Sequence, residues 1–117
     1  IGDHTPLHVA ARAGSAAVVR ALLAAGADVR ATTTGGATAL HLAASAGDPA
    51  VIEALLARGA DADAQEAQWG QTPLIFAAER DRAAAVTALL RGGADPSRRT
   101  RVVNLTEQAA RTQAAQK

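Results

Sequence analysis

The sequence predicts an all-α solenoid made of stacked helix-turn-helix pairs. Three motifs recur in the same order at a spacing of 33 or 34 residues. The first motif reads TPLHVAA, TALHLAA and TPLIFAA at residues 5–11, 38–44 and 72–78. The second reads VVRALL, VIEALL and VTALL at residues 18–23, 51–56 and 86–90. The third is GAD, at residues 26–28, 59–61 and 93–95. The composition agrees with this prediction, because 33 of the 117 residues are Ala, which favours helices and lets their backbones approach closely.

The first helix of each pair begins at the Thr of the first motif. Thr5 is a suitable N-cap, and Pro6 occupies the first helical position, where a missing N–H has no cost. The apolar residues that follow have the i, i+3, i+4 spacing of one helix face, as in Leu7, Ala10 and Ala11. We therefore expect a short helix with one apolar face.

Glycines predict where the first helices end. Gly14 and Gly47 follow the apolar stretches of the first two motifs and suit left-handed caps. Asp81 stands at the same place in the third block, and Asp tolerates the left-handed conformation better than most residues. Asp48-Pro49 then predicts the start of a second helix in the middle block.

Polar connections follow the second helices. Each GAD motif ends a helix at its Gly, and residues 28–36 and 61–70 are rich in Ala, Thr, Gln and Gly. The second connection is one residue longer than the first. No helix pair can bury its apolar stripe alone, so neighbouring pairs must stack.

The period and the TPLHxAA and GAD signatures resemble those of the ankyrin-repeat family over about residues 2–96. The resemblance implies an L-shaped stack of helix pairs whose connections form β-hairpin-like finger loops. It divides a single domain, residues 1–117, into repeats at about residues 2–34, 35–68 and 69–101. Residues 104–116 lack the motifs and are predicted to form a polar helix that serves as a degenerate C-terminal cap.

The first repeat has no polar capping helix before it. Leu7 and Leu22 are therefore expected to face solvent on the N-terminal side. This favours further repeats or a partner at that end, and with them an alternative function as a structural or regulatory segment of a larger repeat protein or assembly.

Composition limits the classes of function. The absence of Cys excludes disulfides, thiolate metal sites and cysteine nucleophiles. The net charge of +1 argues against general attraction to nucleic acid, and no apolar run approaches the roughly 20 residues that span a membrane. Eleven Arg against one Lys suggests a GC-rich bacterial genome. The sequence does not distinguish two compartments for a soluble protein. One is the cytoplasm, and the other, if a signal segment was removed, is the bacterial periplasm or another extracytoplasmic space.

The histidines are predicted to be structural. His8 and His41 occupy the same motif position, where the resemblance implies hydrogen bonds to the Thr hydroxyl and backbone at the helix start. His4 precedes the helix and belongs to a finger. No convincing third ligand accompanies them, and zinc requires three or four, so no metal and no cofactor are expected.

No pattern of a catalytic site is present. The chain lacks Gly-x-Ser-x-Gly, and its only Lys, Lys117, leaves no phosphate-binding loop. We therefore predict that the protein is not an enzyme.

Two features carry open alternatives. Trp69, the sole Trp, is either an exposed binding anchor or packed against its finger or the preceding repeat. Arg98, Arg99 and Arg101 either contact an acidic partner or phosphate, or form a solvated capping surface.

The resemblance implies a protein partner along the finger tips and the exposed side of the first helices. The surface is strongest in the third repeat, because the first two offer mostly small side chains. The corresponding residues are His4, Arg12, Thr34, Ala37, Ser45, Gln68, Trp69, Gln71, Glu79, Arg80, Arg98, Arg99 and Arg101.

Overall fold

The computed structural model describes residues 4–98, which form six short helices. These are α1 (Pro6–Ala13), α2 (Ala16–Ala24), α3 (Ala39–Ala46), α4 (Pro49–Ala57), α5 (Pro73–Glu79) and α6 (Ala83–Arg91). No helix in this part of the chain is long and apolar enough to cross a membrane. The predicted capping helix at residues 104–116 lies outside the described residues.

The helices form two layers. α1, α3 and α5 lie side by side in one layer, the first-helix layer, and α2, α4 and α6 form the second. Each second-layer helix also packs against the first helix of its own pair. Within residues 4–98 the only strand-like pairing is an isolated bridge between Thr32 and Thr38. The all-α solenoid prediction is confirmed.

Threonine caps begin all three first helices. The hydroxyls of Thr5, Thr38 and Thr72 each accept the backbone N–H three residues later. In the first two pairs that third residue is His8 or His41, whose side chain accepts the N–H of the capping Thr in return. This reciprocal capping box satisfies two N–H groups that a helix start otherwise leaves free.

The predicted left-handed turns are present. Gly14 and Gly47 end α1 and α3 with φ values of 75° and 89°. Asp81 adopts φ 57° at the equivalent place after α5, and it is the one non-glycine residue with positive φ among those described. The Asp81 interpretation is therefore correct.

The core lies between neighbouring helix pairs and is built largely from Ala. Ala10, Ala43 and Ala77, at one motif position, are all buried on the first helices, which pack against one another. Larger side chains fill the space between the layers, notably Leu40 and Leu55. The small Ala side chains allow close backbone approach, as the composition predicted.

The expectation that Leu7 faces solvent is wrong. Leu7 is only 2% exposed, because it lies on the side of α1 that packs into the core with Ala11. Leu22 is half-buried. The side chains that the N-terminal side exposes are instead Val9 and Val18.

Candidate functional site

The two buried histidines connect the first helices to the finger loops. The Nε2–H of His8 donates to the carbonyl of Ala31 at 2.9 Å, and that of His41 donates to the carbonyl of Gln71 at 2.8 Å. Since each Nδ1 accepts a Thr backbone N–H, both ring nitrogens are already used. These bonds hold the bases of finger two (residues 28–38) and finger three (residues 61–72), as the resemblance implies.

The tip of finger three is organised around Glu66. The Oε1 atom of Glu66 accepts the backbone N–H groups of Trp69 at 2.7 Å and Gln71 at 3.0 Å. Its Oε2 atom accepts the N–H of Gln68 at 2.8 Å. Glu66 is 5% exposed, so this carboxylate is a buried acceptor for three converging donors.

Finger three also rests on finger two. The N–H of Ala67 donates to the carbonyl of Gly35 at 2.9 Å. Gly36 has φ 79°, and a Cβ atom there would lie 2.6 Å from the nitrogen of Ala67. The tips of the two fingers are thus in direct backbone contact.

Trp69 lies on the Glu66 loop (residues 66–71) and is 45% exposed. Its backbone is fixed by Glu66. The indole offers a large apolar surface beside polar groups, which is the character of residues that anchor protein interfaces. Its role in binding stays a prediction.

A groove crosses the first-helix layer near the C-terminal ends of α1, α3 and α5. It has a volume of about 370 Å³ and is called here the arginine groove. Half-buried Leu42 and Phe76 give it an apolar floor, and exposed arginines flank it. Its lining is Arg12, Leu42, Ser45, Ala46, Phe76, Arg80 and Arg82.

A smaller depression of about 90 Å³ adjoins this groove and is lined by Gln71, Phe76, Glu79 and Arg80. The Nε2 of Gln71 donates to Oε1 of Glu79 at 2.6 Å. Because Phe76 and Arg80 line both depressions, the surface continues from the Glu66 loop to the end of α1.

The structure brings together some of the predicted partner-binding residues and separates others. The predicted residues that line the continuous surface are Arg12, Ser45, Gln71, Glu79 and Arg80, and two more, Gln68 and Trp69, lie on the Glu66 loop together with Gln71.

The remaining predicted residues lie elsewhere. His4 packs edge to face against His8, with ring centroids 5.9 Å apart. Thr34 and Ala37 lie in finger two. Arg98 is 3.9 Å from Asp95 in an exposed ion pair at the C-terminal end of the described stack. Arg99 and Arg101 are outside the described residues.

Sequence reasoning missed four residues of this surface. Leu42 and Phe76 were treated only as motif residues, although Val9 at the same motif position is exposed and both of them are only half-buried. Arg82 donates through Nε to the carbonyl of Ser45 at 3.1 Å and lies over Gly47 in the next turn. Glu66 had one sequence signal, a lone carboxylate beside the inserted residue.

Burial and hydrogen bonding shift two pKa values. Burial raises the pKa of Glu66, but the backbone N–H groups of Gln71, Trp69 and Gln68 together outweigh it, so the pKa lies below its ordinary value. Burial also lowers the pKa of His41, although the carbonyl of Gln71 and the charge of Glu66 oppose the shift. His41 is therefore held neutral and Glu66 ionised.

Acid is expected to destabilise the fold through both groups. Each has a lower pKa folded than unfolded, so the unfolded chain binds more protons and stability rises with pH. Each group contributes fully to stability when the pH is above its ordinary pKa, about 6.5 for His and about 4.3 for Glu. The contribution is lost as the pH falls through the lower pKa of the folded state. Urea unfolding from about pH 7 to about pH 4 measures this loss. The Glu66→Gln variant should lose less stability than the wild type at the acidic end, and an equal loss would contradict the assignment.

The ends of the stack carry two further apolar surfaces. The N-terminal face has a depression of about 520 Å³, which is lined by Pro6, Val9, Ala10, Ala13, Ser15, Val18 and Leu22. At the other end, a depression of about 280 Å³ includes the apolar side chains of Leu74, Ile75, Val86 and Leu90. Neither surface shares a lining residue with the arginine groove. In residues 4–98, no three metal-ligating side chains lie close enough together to hold an ion.

Comparison with known proteins identifies the architecture. A family model described as ankyrin repeats (3 copies) matches residues 7–100. Among solved structures, the chain is similar to the human ASB11 ankyrin repeat domain, with 34% sequence identity and a TM-score of 0.78. The match covers 82% of this chain and 43% of that one, so the chain spans less than half of the ASB11 structure. No curated protein matches the chain.

Proposed function

Because the chain belongs to the ankyrin-repeat family, whose members are generally protein-protein interaction modules, we propose that it is a non-catalytic scaffold for one protein partner. The partner binds along the finger loops and the first-helix layer. The observation that carries this proposal is the continuous surface from Gln71 through Arg80 to Arg12, next to the Glu66 loop on which Trp69 is exposed.

The chemistry of this surface fits an interface centre with polar surroundings. Trp and Arg dominate the residues whose truncation weakens protein complexes most. Trp69 supplies the exposed aromatic, while Arg12 and Arg80 border the apolar floor of the groove. Between Trp69 and the groove, the side chains of Gln71 and Glu79 are hydrogen-bonded to each other. Because Glu79 is bonded to Gln71, the guanidinium groups of Arg12 and Arg80 are available to acceptors on the partner.

Protein is the partner class that the surface favours over nucleic acid. Binding to single strands relies on aromatic side chains along a basic path, and Trp69 is the only aromatic residue exposed in the described chain. Glu79 and Asp81 also interrupt the basic character around Arg80 and Arg82. No cofactor or metal is part of the proposal.

Replacement of Trp69 by Ala is the direct test. We expect binding of a partner captured from the native source to weaken by about 2 kcal/mol or more, because a large anchor is lost. The thermal midpoint should stay nearly unchanged, since the indole is almost half exposed. Isothermal titration calorimetry and thermal unfolding measure the two quantities.

Val18→Ala is the matched control, because Val18 is also an exposed large apolar residue, at 48%, but lies on the N-terminal face. It should leave partner affinity unchanged. A large loss of stability in Trp69→Ala, with unaltered binding per folded molecule, would show that recognition lies elsewhere.

The N-terminal face favours a second function, as a segment of a larger repeat protein or assembly. Val18 and Leu22 are exposed or half-buried, whereas Val51, Ala85, Leu55 and Leu89, at the same repeat positions, are buried. In the second and third repeats these positions are covered by the preceding helix pair. A neighbouring helix pair is thus the occupant that this face suits, and weaker partner binding by Val18→Ala but not Trp69→Ala would favour this function.

A further inference from the structure

Fingers two and three share one hydrogen-bonding plan. In finger two, the N–H of Thr33 donates to the carbonyl of Ala37 at 2.9 Å, and the Thr33 hydroxyl accepts the N–H of Ala37 at 3.3 Å. In finger three, the N–H of Glu66 donates to the carbonyl of Gln71 at 2.9 Å, and the Glu66 carboxylate accepts the N–H of Gln71. Glu66 therefore occupies the structural place of Thr33.

The two fingers differ by one residue between the paired positions. Thr33 and Ala37 are four residues apart, while Glu66 and Gln71 are five apart. The longer loop leaves two more backbone N–H groups facing inward, those of Gln68 and Trp69, and the carboxylate of Glu66 accepts both. A Thr hydroxyl, which lies two carbon atoms closer to the backbone and has one oxygen, does not provide acceptors for three donors at these positions.

The Glu66 carboxylate is committed to this loop. No Lys or Arg among residues 4–98 forms a salt bridge with it. Its three partners are backbone groups of the segment that carries Trp69, and hydrogen bonds to a charged acceptor are stronger than those between neutral groups. The charge is thus balanced by donors that fix the loop's shape.

We propose that Glu66 is a positioning residue that holds Trp69 in its partner-binding orientation. The inference rests on the proposed function. A loop fixed before binding loses less conformational entropy when the partner arrives, so the carboxylate raises affinity without contacting the partner. Release of its three bonds frees the backbone of Trp69 while the helix pairs stay folded.

The intrinsic fluorescence of Trp69 tests the positioning without a partner, since it is the sole Trp in the chain. In Glu66→Gln one acceptor oxygen becomes an NH₂ donor, so at least one loop bond is lost. The measurements are made at a temperature well below the thermal midpoint. There we expect acrylamide quenching of Trp69 to rise by about half and its fluorescence anisotropy to fall, while the helical circular dichroism stays unchanged.

Glu53→Gln is the charge-matched control, because Glu53 is exposed on α4. It should leave both fluorescence quantities at their wild-type values. Glu66→Asp, which keeps the charge but shortens the reach, should fall between the wild type and Glu66→Gln. Quenching and anisotropy in Glu66→Gln equal to those of Glu53→Gln would overturn the proposal.

The binding measurement separates this inference from the proposed function. With the partner captured for the Trp69→Ala test, Glu66→Gln should bind about tenfold more weakly than the wild type. It should cause little further loss in the Trp69→Ala background, because both changes act through one side chain. Full affinity in Glu66→Gln overturns the positioning role alone, whereas full affinity in Trp69→Ala overturns the proposed surface and the positioning role together.

Discussion

Replacement of His41 by Ala should lower the free energy of unfolding by about 3 kcal/mol. The side chain is fully buried, its Nδ1 accepts the N–H of Thr38, and its Nε2–H donates to the carbonyl of Gln71. Its ring also packs edge to face on Phe76, with centroids 4.9 Å apart. Truncation leaves two backbone groups without their partner and opens a cavity. Urea unfolding of wild type and variant measures the difference.

Ile75→Ala provides the control at the same motif position. Ile75 is half-buried and has only its apolar side chain to lose. Its truncation should cost about 1 kcal/mol. If His41→Ala costs no more than Ile75→Ala, the hydrogen bonds of His41 do not hold finger three to the helices.

Gly36→Ala should destabilise the protein by about 3 kcal/mol, because two costs coincide. Gly36 has φ 79°, which a side chain disfavours, and an added Cβ would lie 2.6 Å from the backbone nitrogen and 2.8 Å from the Cβ of Ala67. Relief of this overlap requires finger three to move away from finger two, which breaks the bond from Ala67 to the carbonyl of Gly35. Equilibrium unfolding reports the loss.

The adjacent Gly35→Ala substitution is a close control. Gly35 has no positive φ, and a Cβ there would approach only the hydroxyl of Thr33, at 4.0 Å. We expect it to change stability by less than about 0.5 kcal/mol. Equal effects of the two substitutions would mean that the finger contact contributes little.

Periodic features of the fold could be predicted from the sequence. Motifs repeated at one spacing fixed the register of the helix pairs, and local rules for caps identified Thr5, Gly14 and Asp81 correctly. Leu7 was assigned to the wrong side, because its motif spacing defines a helix face but does not say which neighbour that face meets. That depends on how α1 packs against α3.

The candidate site was predicted only in part. Trp69 and Arg80 stand out by residue type; Arg80 lines the continuous surface, and Trp69 is exposed on the adjoining Glu66 loop. Glu66 does not, because its role depends on three N–H groups that converge only when the loop is folded. Arg82 likewise reaches Ser45 across a turn, a contact between residues 37 apart in sequence. The expectation of a bacterial source stays a prediction.

Hydrogen–deuterium exchange of the free and partner-bound protein tests most directly whether recognition lies on finger three and the first-helix layer. We predict that binding slows exchange at residues 66–71 and at the ends of α3 and α5 that line the arginine groove, and leaves α2 unchanged. Slower exchange confined to α2 and the N-terminal face, with residues 66–71 unaffected, would contradict the proposed surface.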